Sequence, residues 1–165
     1  LSEALTDKYC ATPMAITAER LAEKYQITRD DCEAFSLSSH AKSAKAYKEN
    51  LLQGEIVSIP LKRGEVSADE HYRTDATKDE MSKLRPSFKK DGTVTPATAS
   101  GIVDGAAAVM VASEAFVQKE GLTPLAEIGQ SAVIGVDPNI MGIGPVPAIR
   151  ELLSKAGRKS ISWWF

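Results

Sequence analysis

The stretch KKDGTVTPATASGIVDGAAAVMVAS, residues 89–113, changes character along its length. It begins with charged residues, continues through small polar residues, and ends in an uninterrupted run of Ala, Val and Met. A short apolar run without polar alternation is typical of a strand that is buried on both faces of a sheet. Residues 106–111 are therefore predicted to form a buried strand, which follows a tight turn containing Ser100 and Asp104.

The remaining pattern predicts an α/β body that follows a mostly helical segment, because helices come first and strand, helix, strand and helix come after them. Helical spacing and capping signals predict four helices, at residues 17–25, from 29 to about 50, at 113–121, and within 141–157. Two further strands are predicted at residues 55–62, where Pro60 indicates an edge or an end, and at 124–136. On the second helix, Ala34, Leu37, Ala41 and Ala44 form a narrow stripe suited to close helix packing.

Composition excludes some classes of partner. The chain has 165 residues and a net charge of -2, with 20 basic residues interleaved with 22 acidic ones. This balance gives no general basic field, so neither nucleic acid nor an anionic membrane is predicted as a partner. The chain starts at Leu1 without a targeting pattern and stops abruptly after GRKSISWWF, so both ends are expected to be internal to a longer protein.

Reactive side chains form no recognisable catalytic or metal motif. Cys10 and Cys32 are too few for a disulfide framework and lack metal-ligand spacing, so buried structural thiols in a reducing compartment are expected. His40 is predicted on a solvated helix face, and His71 in the long polar loop of residues 63–92. A basic cluster in that loop is either solvated or a patch for a phosphorylated ligand; it consists of Arg73, Lys78, Lys83, Arg85, Lys89 and Lys90.

Four ordered stretches resemble the thiolase family, specifically the 3-ketoacyl-CoA and acetoacetyl-CoA thiolases. The stretch RPSFKKDGTVTPATASGIVDGAAAVMVAS is similar to the pattern KLxPxFxxxGTVTAGNASGxxDGAAA. The others are PMAITAERLAEKY with its following helix, DEHYRTDATKDEMSKL, and DPNIMGIGPVPAIRELLSKAG. Pro96, Ala97 and Thr98 depart from the family's Ala, Gly and Asn, and Ala76 stands where some members carry a hydroxyl. The local turn geometry before Ser100 is thus an open question.

The resemblance implies a partial thiolase-like α/β fold, with a mostly helical loop domain and pieces of the two α/β core halves. Residues 1–103 would form the loop domain that covers coenzyme A, and residues 104–122 the end of the N-terminal half. Residues 123–157 would begin the C-terminal half, and residues 158–165 would be a divergent tail.

The resemblance also implies contacts with coenzyme A. Arg73 would meet its adenosine-phosphate end, and Ser100 its pantetheine arm. Phe88 would lie against the adenine and pantetheine side, Met14 would line the pantetheine tunnel, and Met141 would lie near the acyl pocket. No metal and no cofactor are implied, since the coenzyme A thioester is the substrate.

Thiolases transfer acyl groups between acyl-CoA and acetyl-CoA, in fatty-acid β-oxidation among other pathways, through an acyl-cysteine intermediate. The family's nucleophile segment and its N-E-A-F, G-H-P and C-x-G segments do not occur in this sequence, so no catalytic residue is assigned and this chain alone is predicted to be inactive. Its expected partner is a small-molecule acyl-CoA. Family members form homo-oligomers, but the strand that pairs across the dimer is not expected here.

Three interpretations remain open. The chain is the central piece of a 3-ketoacyl-CoA thiolase, a non-catalytic protein that binds acyl-CoA or pairs with a thiolase, or a remnant whose GAAAVMV strand lacks neighbours. The motif MGIGPVPAI is most similar to the mitochondrial type, which favours a mitochondrial location over a cytoplasmic or peroxisomal one.

Overall fold

The computed structural model describes residues 3–158, which form two compact units. The first unit holds the residues up to Val103 together with Pro138–Ile140, and the second holds Asp104–Asp137 and the residues from Met141 on. The predicted divergent tail falls almost entirely on residues 159–165, outside the described part. The assignment of these units to a loop domain and two core halves stays a prediction.

The first unit is mostly helical, with two very short antiparallel ribbons. One ribbon pairs β1 (Thr6–Asp7) with β2 (Thr12–Pro13), and the other pairs β3 (Ile59–Pro60) with β4 (Glu65–Val66). Its helices are α1 (Met14–Tyr25), α2 (Arg29–Lys48) and α3 (Lys78–Ser82). The strand predicted at residues 55–62 thus shrinks to two residues, because Pro60 has no N–H to donate to a longer ladder.

The boundary between α1 and α2 follows from local capping. Helix α1 ends at Gln26, which adopts the left-handed conformation with φ 54°, and its N–H points back to the carbonyls of Ala22 and Glu23. Helix α2 begins with the predicted capping box between Thr28 and Asp31. Hydrogen bonds from the Thr28 hydroxyl and backbone N–H lower the pKa of Asp31. The capping box therefore stabilises the folded chain fully when the pH is above the ordinary pKa of a carboxyl group. This stabilisation is lost as the pH falls through the lowered pKa of Asp31 in the folded state.

The packing face of α2 differs from the predicted small-residue stripe. Of the four predicted residues, Ala34 and Ala41 are exposed and Leu37 and Ala44 are half-buried, whereas Glu33 is buried and Ser36, His40 and Tyr47 are half-buried. The helix is covered by polar loop segments that need hydrogen-bonding partners, so its polar side chains face inward.

A buried carboxylate ties α1 to the loop before Ser100. Glu19 is only 3% exposed and accepts hydrogen bonds from the Thr93 N–H (2.9 Å), the Thr93 hydroxyl (3.1 Å) and the Val94 N–H (2.8 Å). A Cβ on Gly92 would overlap the same carboxylate, so glycine is required there for the close approach. Because Ala22 and Met81 are the only apolar side chains classed as buried among residues 3–158, such polar ties organise this unit.

Arg29, paired with the buried carboxylate of Glu33 in the same helix, ties α2 to α3. The Arg29 guanidinium donates from Nε to Glu33 (2.7 Å) and from Nη2 to the carbonyls of Met81 (2.9 Å) and Leu84 (2.6 Å). These carbonyls lie at the C-terminal end of α3, where helical acceptors lack intrahelical donors. Arg29 thereby fixes the short helix against α2.

The second unit contains α4 (Glu114–Lys119), a 3₁₀ segment over Pro138–Ile143 whose first residues belong to the first unit, and α5 (Pro145–Lys155). The predicted caps are confirmed: the Ser113 hydroxyl accepts from the Phe116 N–H, and both Gly121 and Gly157 have positive φ just past their helices. Pro147 lies in the first turn of α5 as predicted.

The strands predicted at residues 106–111 and 124–136 are not formed, and the prediction that the first is buried is wrong for this chain. Val109, Met110, Leu125 and Val133 are each more than 80% exposed. An apolar run becomes a strand only when neighbouring strands complete its hydrogen bonds, and residues 3–158 supply none beside these two segments.

This exposed apolar surface predicts strong dye binding. We expect the 165-residue chain to raise the fluorescence of anilinonaphthalene sulfonate severalfold, because contiguous exposed apolar area is rare on folded soluble proteins. A variant with Val109→Lys and Val133→Lys should bind less dye while keeping its helical circular dichroism. Fluorescence no higher than that of a well-packed globular standard would contradict this expectation.

Candidate functional site

A groove of about 1080 Å³ lies within the first unit. Its walls are α2, the segment from His71 to Leu84, and the segment from Pro96 to Val103. Its lining includes the side chains of Cys32, Ser36, His40, His71, Arg73 and Ser100. The volume is in the range of pockets that hold small molecules or cofactors.

The groove brings together two residues that the sequence placed 27 positions apart. Arg73 and Ser100 both line it, and both are exposed. Within residues 3–158 the Arg73 guanidinium has no ion-pair partner, and the Ser100 hydroxyl makes no hydrogen bond. One cation and one hydroxyl are therefore available to a ligand with a phosphate and a polar arm.

The segment Asp69–Arg73 is fastened to α2 through Tyr47. The Tyr47 hydroxyl donates to Asp69 Oδ2 (2.7 Å) and accepts from the Asp69 N–H (2.9 Å), and its ring stacks on Tyr72 at 4.9 Å between centroids. The hydrogen bond to Asp69 raises the pKa of Tyr47. These contacts hold the backbone that carries Arg73.

Two histidines complete this arrangement, and His40 has a structural contact besides its partly solvated position on α2. His40 is half-buried, and its Nδ1 accepts a hydrogen bond from the Arg73 N–H at 3.2 Å. The His71 ring lies where a Cβ of Gly101 would be, so it packs directly on the backbone beside Ser100. The sequence signal was the spacing of His40 and Tyr47, which are two helical turns apart and so share a face of α2.

The turn before Ser100 keeps its hydrogen bonds despite the departure from the family pattern. The Thr98 hydroxyl accepts from the Thr95 N–H (2.9 Å) and donates to the Thr93 carbonyl (3.0 Å). Ser36 on α2 donates to the Ala97 carbonyl at 2.6 Å. Thr98 thus supplies a donor and an acceptor where the family has an amide side chain, and α2 anchors the turn.

The other three predicted contacts do not line this groove. Phe88 and Met14 belong to the first unit and are 53% and 42% exposed, respectively. Met141 lies in the second unit, within the 3₁₀ segment. Their assignment to coenzyme A and to the acyl pocket stays a prediction.

The thiols do not have the setting of nucleophiles. Burial raises the pKa of Cys32, with the nearby carboxylates of Asp31, Glu19 and Glu33 acting in the same direction against a hydrogen bond to Thr93. A raised pKa reduces the thiolate fraction at neutral pH. Cys10 is half-buried in the turn between β1 and β2, where its N–H donates to Asp7 Oδ1 at 2.8 Å.

The basic cluster of the loop is partly neutralised. Lys78 pairs with Asp30 at 3.4 Å, and Lys89 pairs with Glu23. Among residues 3–158, no group of three His, Cys, Asp or Glu side chains is placed to hold a metal ion, and no helix is both long and apolar enough to cross a bilayer.

Comparison with known proteins decides the family. The family model for the thiolase N-terminal domain matches residues 1–115, which is more than half of the chain. The chain belongs to the thiolase family. It is 49% identical over 162 residues to an acetyl-CoA acetyltransferase of Chromobacterium violaceum, covering 95% of this chain and 41% of that protein. It is 46% identical over 157 residues to the human mitochondrial 3-ketoacyl-CoA thiolase, covering 93% and 40%.

Solved thiolase structures confirm the partial thiolase-like fold. The crystal structure of the human mitochondrial 3-ketoacyl-CoA thiolase in complex with CoA matches with a TM-score of 0.91, over 96% of this chain and 40% of that chain. The acetyl-CoA acetyltransferase of Bacillus anthracis matches with a TM-score of 0.90 at 43% identity, over 96% and 41%. This thiolase chain spans about two fifths of the length of the relatives that it matches.

Proposed function

We propose that this chain is the coenzyme A-contacting part of a 3-ketoacyl-CoA thiolase. The observation that carries the proposal is the shared groove of Arg73 and Ser100, in which a cation and a hydroxyl without protein partners face the same space. A phosphate-bearing ligand with a polar arm matches that pair chemically. The human relative whose structure was solved with CoA supports the choice of coenzyme A.

In this proposal the two residues divide the ligand between them. The Arg73 guanidinium binds the adenosine-phosphate end, because a planar cation forms charge-assisted hydrogen bonds to phosphate oxygens. The Ser100 hydroxyl and the open backbone around Gly101 bind the pantetheine arm. Met14, Phe88 and Met141 would contribute apolar contacts along the ligand.

The acyl-transfer step itself is not assigned to residues of this chain. Burial raises the pKa of Cys32, which lowers its thiolate fraction, and Cys10 lies in a hairpin turn, so neither is assigned as the nucleophile. The proposal is therefore ligand positioning within a thiolase that acts in fatty-acid β-oxidation. A mitochondrial setting is part of the same proposal, and the names of the mammalian relatives support it.

Isothermal titration calorimetry of the 165-residue chain with coenzyme A tests this proposal. We expect saturable binding, about 10- to 100-fold weaker in Arg73→Ala because a charge-assisted hydrogen bond contributes about 1.5–3 kcal/mol. Ser100→Trp should abolish binding by filling the groove. With 3′-dephospho-coenzyme A, the wild type and Arg73→Ala should differ much less.

The matched control is Lys62→Ala, which removes an exposed cation from the hairpin between β3 and β4 without touching the groove. Its affinity should equal that of the wild type. A chain that shows helical circular dichroism but no saturable binding would overturn the proposal.

A further inference from the structure

We infer that His40 is a positioning residue for Arg73 and that it acts only in its neutral form. The inference rests on the proposed function, since it concerns the residue assigned to the phosphate of coenzyme A. Its basis is the hydrogen bond from the Arg73 N–H to His40 Nδ1, which joins α2 to the groove wall at the residue that carries the cation.

The direction of this hydrogen bond sets the protonation state. A ring nitrogen accepts a hydrogen bond only through its lone pair, so Nδ1 of His40 carries no proton when the bond exists. The protonated imidazolium has two donors and no acceptor, and it cannot make this contact. Protonation of His40 therefore releases the backbone of Arg73 from α2.

The rest of the segment is fastened by contacts that do not depend on His40. Asp69 and Tyr72 are held by Tyr47, and the His71 ring packs on Gly101. Among the contacts of this segment with other residues between 3 and 158, the bond to His40 is the one that reaches Arg73 itself. Its loss should leave the segment attached while the backbone of Arg73 becomes less well placed.

The groups around His40 carry charges of both signs. Tyr47, Asp69, His71 and Tyr72 share a small cavity of about 280 Å³ with it, and Arg73 also lines the groove. The Asp69 carboxylate is engaged by Tyr47, and the other ionisable groups lining the groove are Asp31, Cys32 and Glu80. The hydrogen bond to Arg73 is therefore the contact through which protonation of His40 acts.

The test compares wild type with His40→Asn, whose amide oxygen stands one bond beyond Cγ as Nδ1 does, and which can accept the same hydrogen bond but does not titrate. Affinity for coenzyme A is measured at pH 5.5, 7.0 and 8.0, because imidazoles as a class titrate between about pH 5 and 8. We expect the affinity of the wild type to fall about three- to tenfold more than that of His40→Asn between pH 8.0 and 5.5, the loss expected for one hydrogen bond. Ionisation of the ligand phosphates affects both proteins equally and cancels in the ratio.

Two further measurements separate positioning from folding. His40→Ala should bind about three- to tenfold more weakly than wild type at pH 8.0, where His40→Asn binds normally, with melting temperatures of all three proteins within a few degrees. In the ligand-free chain, the amide resonance of Arg73 should shift more with pH in the wild type than in His40→Asn.

A constant ratio of wild-type to His40→Asn affinity across this pH range would overturn the inference, as would an Arg73 amide that is equally pH-dependent in both proteins. These results differ from a failure of the proposed function. If the proposed function fails, the wild type shows no saturable binding of coenzyme A at pH 8.0, and the inference about His40 fails as well.

Discussion

Glu19→Ala should lower the free energy of unfolding of the first unit by about 3–5 kcal/mol. The substitution leaves three donors without their acceptor: the Thr93 N–H, the Thr93 hydroxyl and the Val94 N–H. Each unsatisfied buried donor costs about 1–3 kcal/mol, and water that enters the space recovers part of that cost. Urea denaturation monitored by helical circular dichroism measures the change.

Glu23→Ala is the matched control, since Glu23 lies one helical turn further along α1. Its side chain is 60% exposed and pairs with Lys89 on the surface, so its replacement should change stability by less than about 1 kcal/mol. Equal effects of the two substitutions would show that the buried carboxylate does not hold the loop of residues 92–94 in place. Glu19→Gln should fall between them because it keeps one acceptor oxygen.

Arg29→Ala has the second large expected effect, also about 3–5 kcal/mol. The Glu33 side chain is 1% exposed, and its Oε1 has Arg29 as its partner, while Oε2 has no hydrogen bond within the described residues. Removing the guanidinium leaves a buried carboxylate uncompensated and also removes a donor to the carbonyls of Met81 and Leu84, of which the Met81 carbonyl still accepts from the Leu84 N–H. Urea denaturation again measures the loss.

A double variant distinguishes the effect of the unpaired buried charge on stability from the effect of the hydrogen bonds that are lost at the end of α3. Arg29→Met combined with Glu33→Leu removes both partners, and replacement of a buried ion pair by apolar residues is often neutral or stabilising. We expect the double variant to be more stable than Arg29→Ala by at least about 2 kcal/mol. If the double variant is as unstable as Arg29→Ala, the loss of stability comes from the missing hydrogen bonds between Arg29 and the end of α3 instead. Lys78→Ala, which breaks an exposed pair with Asp30, serves as the surface control.

Local sequence signals predicted the helices well because helix ends depend on neighbouring residues. The capping box of Thr28 and Asp31, the Ser113 cap, and the glycines past α4 and α5 are each satisfied within a few residues of the chain. Ordered motifs also predicted the thiolase family and its partial fold, which the family model and the solved relatives confirm.

Pairing between distant segments could not be predicted in the same way. A glutamate at helical spacing reads as a solvated side chain, and nothing near Glu19 in the sequence indicates the donors that it meets 74 and 75 residues away. Nothing near Arg29 indicates the carbonyls of Met81 and Leu84, which it meets 52 and 55 residues away. His40 and His71 were equally ambiguous, because a histidine gains a role only from the atoms that face it.

The amino-acid sequence alone therefore specifies four of the five α-helices among residues 3–158, several of their caps, the family, and the residue types expected at a coenzyme site, since all of these depend on short-range geometry and on motif order. The tertiary arrangement decides that helix α3 forms within the predicted polar loop, that Arg73 and Ser100 share one groove, and that His40 supports the backbone of Arg73. It also decides that residues 106–111 remain exposed. A strand depends on hydrogen bonds to other strands, and the part of the chain that the structure describes brings none beside it.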